Sequence, residues 1–294
     1  MIAVRDAMGH EVRLGAPARR VVSLVPSETE TVVMLGCADR LVARTDHCVE
    51  PRGVVERVAC VGGTKDARVA EIVALAPDLV LANQEENTPR IVRTLEAASI
   101  PTHVSFPKTI EDAAALVGDI AMLLGLDADR AEAIAQMERE LEEARARRAS
   151  RAPLRVFCPI WRDPLMTIRG DTFLSDALDL AGASNVFADR ARRYPLAADL
   201  GLAPALDEER LAGERLGARD TRYPRVTLDE VLARAPDLVV LPDEPHPFDE
   251  ADAELFRARG LRVVFVSGRD LSWYSPRMGR GVLSVAARLD AERV

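Results

Sequence analysis

Two distant segments of this chain carry the same pattern, and this repeat limits the possible folds more than any other feature. The segment VAEIVALAPDLVLA at 69–82 matches LDEVLARAPDLVVL at 228–241 at a constant offset of 159 residues. Each copy combines helical spacing of apolar residues, a stop at Ala-Pro-Asp and a short apolar run typical of a buried parallel strand. Because 294 residues are too many for one ordinary core, the repeat predicts two related α/β lobes.

A segment with no glycine or proline, 127–149, lies between the two copies and predicts one long helix. Asp127 is placed to cap its start, and arginines crowd its last turn, so the charges follow the helix macrodipole. A narrow apolar stripe runs along it, formed by Ile134, Met137, Leu141 and Ala144. We therefore predict a linking backbone helix at 126–150 between an N-terminal lobe, 1–125, and a C-terminal lobe, 151–294.

Strand and helix patterns alternate in both halves, which predicts two Rossmann-like lobes of the α/β class with mostly parallel sheets. A small hairpin is predicted at 2–14. Predicted strands lie at 20–26, 41–44, 78–82 and 102–106 in the first half, and at 154–160, 237–241 and 262–267 in the second. Ser27 and Glu30 have the spacing of a capping box at the start of the first helix. The segment 188–223 is the least regular and predicts loop and short helix.

The composition argues against several classes of protein. A net charge of −8 argues against a nucleic-acid or anionic-membrane partner, and no apolar run reaches the ~18 residues that a membrane span requires. HExxH, GxSxG and Walker A motifs are absent, and the four cysteines form no CxxC pair. The N-terminus has neither a basic nor an apolar region, so we expect no signal peptide and a cytoplasmic location. The alternative is a periplasmic location, if an export signal is missing from this chain.

Several uncommon polar and aromatic side chains follow predicted strands, where parallel sheets place their ligands. In the second half these are Trp161, Arg162, Glu244, Trp273, Tyr274 and Arg277, and in the first half they are Lys65, Glu85 and Glu86. Tyr223 is a further candidate for stacking or for pairing with a charge. Aromatic faces with a few fixed charges suit a large, flat or chelate-like ligand, so we predict that these residues line one cleft.

The same residues also have structural interpretations. A tryptophan after a strand often fills its own core, and paired glutamates usually form a solvated loop, although the offset of 159 also carries Glu85 onto Glu244. Lys65 after two glycines is typical of an exposed turn. His47 and Cys48 offer metal ligands, but no third ligand of that type is recognisable, so we predict no protein-bound metal.

Segments spread over nearly the whole chain resemble one known family. RRVVSLVPSETETVVMLG, TDHC followed by a proline, VGGTK, IVALAPDLVLAN, the long helix and the second PDLVV are similar to class III substrate-binding proteins, the helical-backbone receptors for vitamin B12 and iron–siderophores. The resemblance implies two lobes that move little about the linking helix and close on a ligand such as cobalamin or a ferric chelate. It implies no catalysis and no required cofactor.

One departure from the family leaves alternatives open. Members that deliver to a transporter resemble one another in one Glu per lobe on the helix before PDLV, and Ala70 and Asp229 occupy those positions here. The first hypothesis is therefore a non-catalytic binder of a corrinoid or metal chelate in the cytoplasm. The second is the substrate-binding subunit of an ABC importer, with a permease as its partner. The third is a tetrapyrrole- or chelate-handling enzyme with Glu85, Glu86 or Glu244 as acid–base groups.

Overall fold

The computed structural model describes residues 1–127, 132–206 and 220–293. The chain divides into two compact units, of which the first comprises Met1–Arg139 with Trp273–Arg277 and the second Glu140–Ser272 with Met278–Val294. Both units are α/β and contain parallel sheets, as the sequence predicted. The lobe limits at 125 and 151 stay a prediction. Trp273, Tyr274 and Arg277 were predicted to lie in the second lobe, whereas the structure groups them with the first unit.

The first unit contains a hairpin and a five-stranded sheet. Strands β1 (Ile2–Arg5) and β2 (Glu11–Leu14) form the predicted antiparallel hairpin. The sheet strands are β3 (Val21–Ser23), β4 (Leu41–Arg44), β5 (Ala59–Cys60), β6 (Leu79–Asn83) and β7 (Thr102–Ser105), all parallel in the order β5-β4-β3-β6-β7. The helices are α1 (Pro26–Met34), α2 (Val69–Ala74), α3 (Pro89–Ala97) and α4 (Ile110–Leu123), with 3₁₀ turns at Ala38–Arg40 and Val55–Arg57. Leu24, Ile72 and Leu95 are central to its core.

The long helix α5 (Glu132–Ala149) contains the predicted apolar stripe, and all four residues of that stripe are buried. The limit between the two units, at Arg139, lies within it. Residues 128–131, where the helix was predicted to begin after Asp127, lie outside the described part of the chain. At its C-terminal end Arg147 Nε lies 2.9 Å from Asp290 Oδ2, and Arg148 Nε donates to the carbonyl of Asp179 at 2.8 Å.

The second unit repeats the plan with four parallel strands. Its strands are β8 (Leu154–Phe157), β9 (Pro159–Trp161), β10 (Met166–Thr167), β11 (Ala183–Asn185), β12 (Leu238–Pro242) and β13 (Val263–Val266). The sheet order is β11-β8-β12-β13, while β9 and β10 form a separate antiparallel pair. The helices are α6 (Phe173–Leu180), α7 (Leu196–Asp199), α8 (Leu228–Ala233), α9 (Glu250–Arg257), α10 (Gly268–Ser272) and α11 (Met278–Ala291). The core is aromatic, with Phe157, Phe187 and Phe256 in contact.

Two predictions of detail were wrong. The strand predicted at 154–160 is broken after Phe157, because Pro159 has no N–H to donate to the parallel ladder and begins the antiparallel pair instead. Ser27 does not cap α1. The helix already begins at Pro26, whose missing N–H suits the first helical position, and the Glu30 carboxylate accepts a hydrogen bond from Ser275.

The sequence repeat has the same local geometry in both units. Helix α2 and strand β6 match α8 and β12 at the offset of 159. The residues before the two prolines, Ala76 and Ala235, both adopt a left-handed backbone, with φ of 45° and 44°. Because this conformation is unfavourable for alanine, the surrounding contacts must hold the turn in both places.

An aspartate after each proline supplies such contacts. Asp78 Oδ2 accepts the backbone N–H groups of Arg19 and Arg20, at 2.9 and 3.0 Å. In the second unit Asp237 Oδ2 accepts the N–H of Arg155 at 2.8 Å. The repeated Asp therefore ties the end of a helix to the start of the neighbouring strand, which is a role in folding and not in ligand binding.

Asp78→Ala should lower the free energy of unfolding by about 1–3 kcal/mol, because two backbone donors lose a charged acceptor. Asp78→Asn is the matched control, since it keeps an oxygen in place and should lose less. Urea unfolding followed by circular dichroism measures both variants. If Asp78→Ala unfolds at the same urea concentration as the unchanged protein, the tie does not stabilise the turn.

Candidate functional site

In the first unit the order of the strands marks one edge of the sheet as the place for a ligand. From β3 the chain adds β4 and β5 on one side and β6 and β7 on the other. The carboxyl ends of β3 and β6 therefore lie side by side, and the chain leaves them in opposite directions. Open α/β sheets bind their ligands at such a switch point.

The turn after β6 is held by the side chains of two buried asparagines. Oδ1 of Asn83 accepts the backbone N–H groups of Glu85 and Glu86, at 2.7 and 3.2 Å. Oδ1 of Asn87 accepts the N–H of Asn83 at 2.9 Å, and its Nδ2 donates to the carbonyl of Thr64 at 2.8 Å. The backbone that carries the two predicted glutamates is thus fixed from inside the unit.

Glu28 on α1 places a fully buried carboxyl group at the same edge. The hydroxyl of Ser105 donates to its Oε1, and Asn83 Nδ2 donates to Ser105 Oγ at 3.0 Å. Its Oε2 is buried and has no hydrogen-bond partner in the described part of the chain. Burial raises the pKa of Glu28 to about 8, against the hydrogen bond from Ser105, and the nearby charge of Glu86 raises it further. Glu28 therefore holds a proton at neutral pH.

The segment Trp273–Arg277 brings a phenol to these carboxyl groups. Burial raises the pKa of Tyr274, and the charges of Glu28 and Glu86 raise it further, while a hydrogen bond with Ser27 opposes the shift. Burial also raises the pKa of Glu86, against the positive charge of Lys65. Lys65 itself donates to the carbonyl of Glu85. We name Glu28, Glu85, Glu86, Lys65 and Tyr274 the acidic site.

Two contacts with Glu30 hold this segment on α1. Ser275 Oγ donates to Glu30 Oε2 at 2.5 Å, and Arg277 Nη1 lies 3.7 Å from Glu30 Oε1. Trp273 is only 8% exposed, which favours its structural interpretation as a residue packed in the interior. Arg277 thus helps to hold the segment that carries Tyr274 on α1, and its predicted contact with a ligand stays a prediction.

The acidic site offers both kinds of hydrogen-bonding group. The phenol of Tyr274 and the ammonium of Lys65 can donate to a ligand, while the carboxylates of Glu85 and Glu86 can accept from it. Its carboxyl groups outnumber its one cation, so it favours amides and hydroxyls and repels anions.

In the second unit the predicted residues Trp161 and Arg162 lie beside His246. The Trp161 side chain is 45% exposed, and its Nε1 donates to the carbonyl of Asp163 at 3.1 Å. Its ring meets the imidazole of His246 edge-on, with 5.5 Å between the centroids. Arg162 pairs with the carboxylate of Asp252, which lies 3.4 Å from His246 Nε2. These contacts fix the orientation of the Trp161 indole while leaving part of the ring exposed.

Glu244 and Tyr223 each lie against an arginine. Glu244 Oε1 lies 3.7 Å from Arg269 Nε, and the guanidinium of Arg222 lies over the Tyr223 ring at 5.3 Å. The backbone of Glu244 approaches Gly268 so closely that a Cβ there would lie 2.5 Å from the Glu244 nitrogen. Position 268 therefore requires glycine.

The structure brings together part of the predicted set within each unit. Lys65, Glu85, Glu86 and Tyr274 meet in the first unit, and Trp161 meets Arg162 in the second. That all the predicted residues line one cleft stays a prediction. Glu28 was missed, because a glutamate near a helix start reads as an ordinary capping residue. Its signal is its position directly after a buried strand, in a helix otherwise rich in Thr and Val.

Within residues 1–127, 132–206 and 220–293, no group of three or more His, Cys, Asp or Glu side chains could hold a metal ion. Helices in those same ranges are all too short or too polar to cross a membrane.

The family model described as Periplasmic binding protein matches residues 21–213. This chain belongs to the periplasmic binding protein family. A vitamin B12-binding protein of Yersinia pestis (strain Pestoides F) is 28% identical over 261 residues, which cover 89% of this chain and 82% of that protein. Members of the family bind solutes and are not enzymes, so the chain is a non-catalytic ligand-binding protein. The acid–base roles considered for Glu85, Glu86 and Glu244 do not apply.

Solved structures of similar proteins show the same fold. The periplasmic vitamin B12 binding protein BtuF of Vibrio cholerae has a TM-score of 0.71 at 24% identity, covering 94% of this chain and 98% of its own. The periplasmic heme-binding protein RhuT from Roseiflexus sp. RS-1 has a TM-score of 0.71 at 20% identity, covering 94% and 100%. Helicobacter pylori CeuE with Ni(II) bound has a TM-score of 0.75 at 17% identity, covering 99% and 90%.

Glu28→Gln should make the stability of this binding protein less dependent on pH. The pKa of Glu28 rises from an ordinary value of 4.5 to about 8 on folding. Between these values the folded state holds a proton that the unfolded chain has lost, so the free energy of unfolding falls as the pH rises. The slope approaches about 1.4 kcal/mol per pH unit at most. Gln does not titrate, so the variant should lack this decline.

Urea unfolding between about pH 5 and pH 9 measures the difference between the two proteins. The matched control is Glu138→Gln, which removes a carboxylate from an exposed position on α5 and should leave the pH dependence unchanged. If the free energy of unfolding changes with pH in the same way for the unchanged protein and Glu28→Gln, Glu28 is ionised when buried.

Proposed function

We propose that this protein binds a corrinoid of the vitamin B12 type. The 28% identity to a vitamin B12-binding protein over 89% of the chain supports a ligand of that class. The observation that carries the choice is the acidic site. A corrin ring is edged with amide groups, which accept hydrogen bonds from Tyr274 and donate them to Glu85 and Glu86.

The charge of the acidic site favours a corrinoid over heme or an anionic ferric chelate. Heme carries two carboxylates, and a carboxylate about 4 Å from another at a protein surface is repelled by roughly 4 kcal/mol. Lys65 is the one cation of the site, and it already donates to the carbonyl of Glu85. The amides of a corrinoid meet the same carboxylates without repulsion.

Corrinoids should bind at least about tenfold more tightly than hemin, which corresponds to about 1.4 kcal/mol. Titration of cyanocobalamin, cyanocobinamide and hemin, followed by tryptophan fluorescence, measures the three affinities. Glu86→Gln removes one negative charge from the site, so it should improve hemin binding and reduce the difference in affinity between corrinoids and hemin. Glu138→Gln should leave that difference unchanged. Tighter binding of hemin by the unchanged protein would overturn the proposal.

What the protein does with its bound ligand is a separate part of the proposal. Members of the family work with ABC permeases, which supports delivery of the ligand to such a partner. Glu71 and Glu230 follow Ala70 and Asp229, the two positions where transport members of the family have a Glu, and both carboxylates form ion pairs within the chain. Glu71 Oε1 lies 2.6 Å from Arg68, and Glu230 Oε1 lies 2.9 Å from Arg190, which is 4% exposed. These ion pairs favour the competing role of a carrier that meets no permease.

Fractionation of the native cells, with copurification of the permease, distinguishes the two roles. We expect delivery, and therefore recovery outside the cytoplasm and in a complex with the permease. The cytoplasmic location stays a prediction of the sequence, and recovery of the ligand-loaded protein in the cytoplasm without a permease would establish the carrier role instead.

A further inference from the structure

An antiparallel ladder in the second unit sets Trp161 and Arg225 on one face. Trp161 on β9 pairs with Met166 on β10, and Met166 forms a further antiparallel bridge with Arg225. Residues directly opposite each other in such a ladder point their side chains to the same face. Since neighbouring strands lie about 4.8 Å apart, Trp161 and Arg225 are roughly 10 Å apart with Met166 between them. We name these three residues the Trp161 ridge.

Arg225 has no acceptor for its guanidinium among the residues that the structure describes. Its side chain is partly buried, its Nε is fully buried, and no hydrogen bond or ion pair engages its guanidinium in the described chain. Its backbone is held in place, because its N–H donates to Asp199 Oδ2 at 3.2 Å and its carbonyl accepts from Arg190 at 3.4 Å. A partly buried charge with no partner is unfavourable, so an anionic ligand group at this position would gain an unusually free donor.

The charges around Arg225 leave a local surplus of positive charge. The buried carboxylate of Asp199 accepts from Arg190 Nη1 at 3.1 Å, and Arg192 Nε lies 3.8 Å from its other oxygen. Glu230 also pairs with Arg190. Glu230 also lies 3.9 Å from Arg234, which pairs with Asp189. Arg190, Arg192 and Arg234 thus share three carboxylates and leave none for the guanidinium of Arg225, and the Nε of Arg192, like that of Arg225, is buried without a hydrogen bond among the described residues. In a chain of net charge −8, this is a place where an anion is attracted.

We propose that Arg225 binds the phosphate of the corrinoid's nucleotide loop while a flat part of the ligand packs on Trp161. This inference rests on the proposed function and names the part of a corrinoid that Arg225 and Trp161 would contact. A phosphodiester carries one negative charge, and a guanidinium can donate two parallel hydrogen bonds to it. The exposed indole supplies an aromatic face at low entropic cost. The protein should therefore prefer a complete cobalamin to a corrinoid that lacks the loop.

Cyanocobalamin and cyanocobinamide separate the phosphate from the corrin ring, because cobinamide lacks the nucleotide loop. We expect the unchanged protein to bind cobalamin about tenfold more tightly than cobinamide, which corresponds to about 1.4 kcal/mol. The preference should shrink as salt rises from about 0.05 to 0.5 M, since ions screen the contact. This comparison needs no variant, so it holds whatever a substitution does to folding.

Arg225→Gln should remove the preference by weakening cobalamin binding and leaving cobinamide binding unchanged. The matched control, Arg257→Gln, removes the same charge from an exposed arginine on α9 that pairs with Glu250, and should keep the preference. Inorganic phosphate should compete with cobalamin and not with cobinamide in the unchanged protein. Melting curves of both variants show whether they are folded.

The outcomes distinguish this inference from the proposed function. Equal affinity of the unchanged protein for both corrinoids, or an equal loss for both in Arg225→Gln, would refute the phosphate contact and leave the corrinoid function intact. Binding of hemin that depends on Arg225, with no difference between the corrinoids, would assign the arginine to a carboxylate instead. Failure of both corrinoids to bind would refute the function and the inference together.

Discussion

The burial of two glutamates on helix α1 is the constraint on which the first unit depends. Glu28 and Glu30 lie on a nine-residue helix that is almost entirely buried, and removing a carboxylate from water costs several kcal/mol unless it is paired or neutral. Glu28 remains protonated, whereas Glu30 accepts from Ser275 and lies against Arg277. Ser275 follows Glu30 by 245 residues. Two contacts to the buried carboxylate of Glu30 therefore come from a segment that lies far along the chain.

The same constraint prepares the acidic site. Because Glu30 holds the segment that carries Tyr274, the phenol reaches Glu28 and Glu86 without depending on a ligand for its position. The desolvation that raises the pKa of these groups also strengthens the hydrogen bonds they make, since few water molecules compete for them. The buried carboxyl of Glu28 therefore acts from inside the unit, where its hydrogen bond from Ser105 joins α1 to the turn that carries Glu85 and Glu86 through Asn83.

The sequence was informative where the signal is local. Helical spacing, the Ala-Pro-Asp stop and the alternation of strands and helices predicted seven of the nine strands in the two parallel sheets, because each signal lies within one element, and missed the short edge strands β5 and β11. Tyr274 was assigned to the wrong unit, since its place depends on a contact with α1 that no local pattern encodes. Glu28 was missed because its importance comes from burial. Arg225 was missed because no sequence pattern shows that its guanidinium lacks a partner among the described residues. Its position beside Trp161 depends on one β-bridge, between Met166 and Arg225, which the sequence does not reveal either.

The repeat separates what the two units share from what each does alone. Asp78 and Asp237 make equivalent backbone contacts, so the repeated positions maintain the fold. Glu85 and Glu244 are also equivalent in sequence, yet the first belongs to a cluster of carboxyl groups and the second faces Arg269. The two units thus share the residues that maintain the fold but differ in the charged side chains beside them: carboxyl groups cluster in the first unit, and arginines cluster around Arg225 in the second. The acidic site of the first unit favours neutral amides and hydroxyls, whereas the guanidinium of Arg225 in the second unit favours an anionic group, so the two units differ in the chemistry that each offers to a ligand.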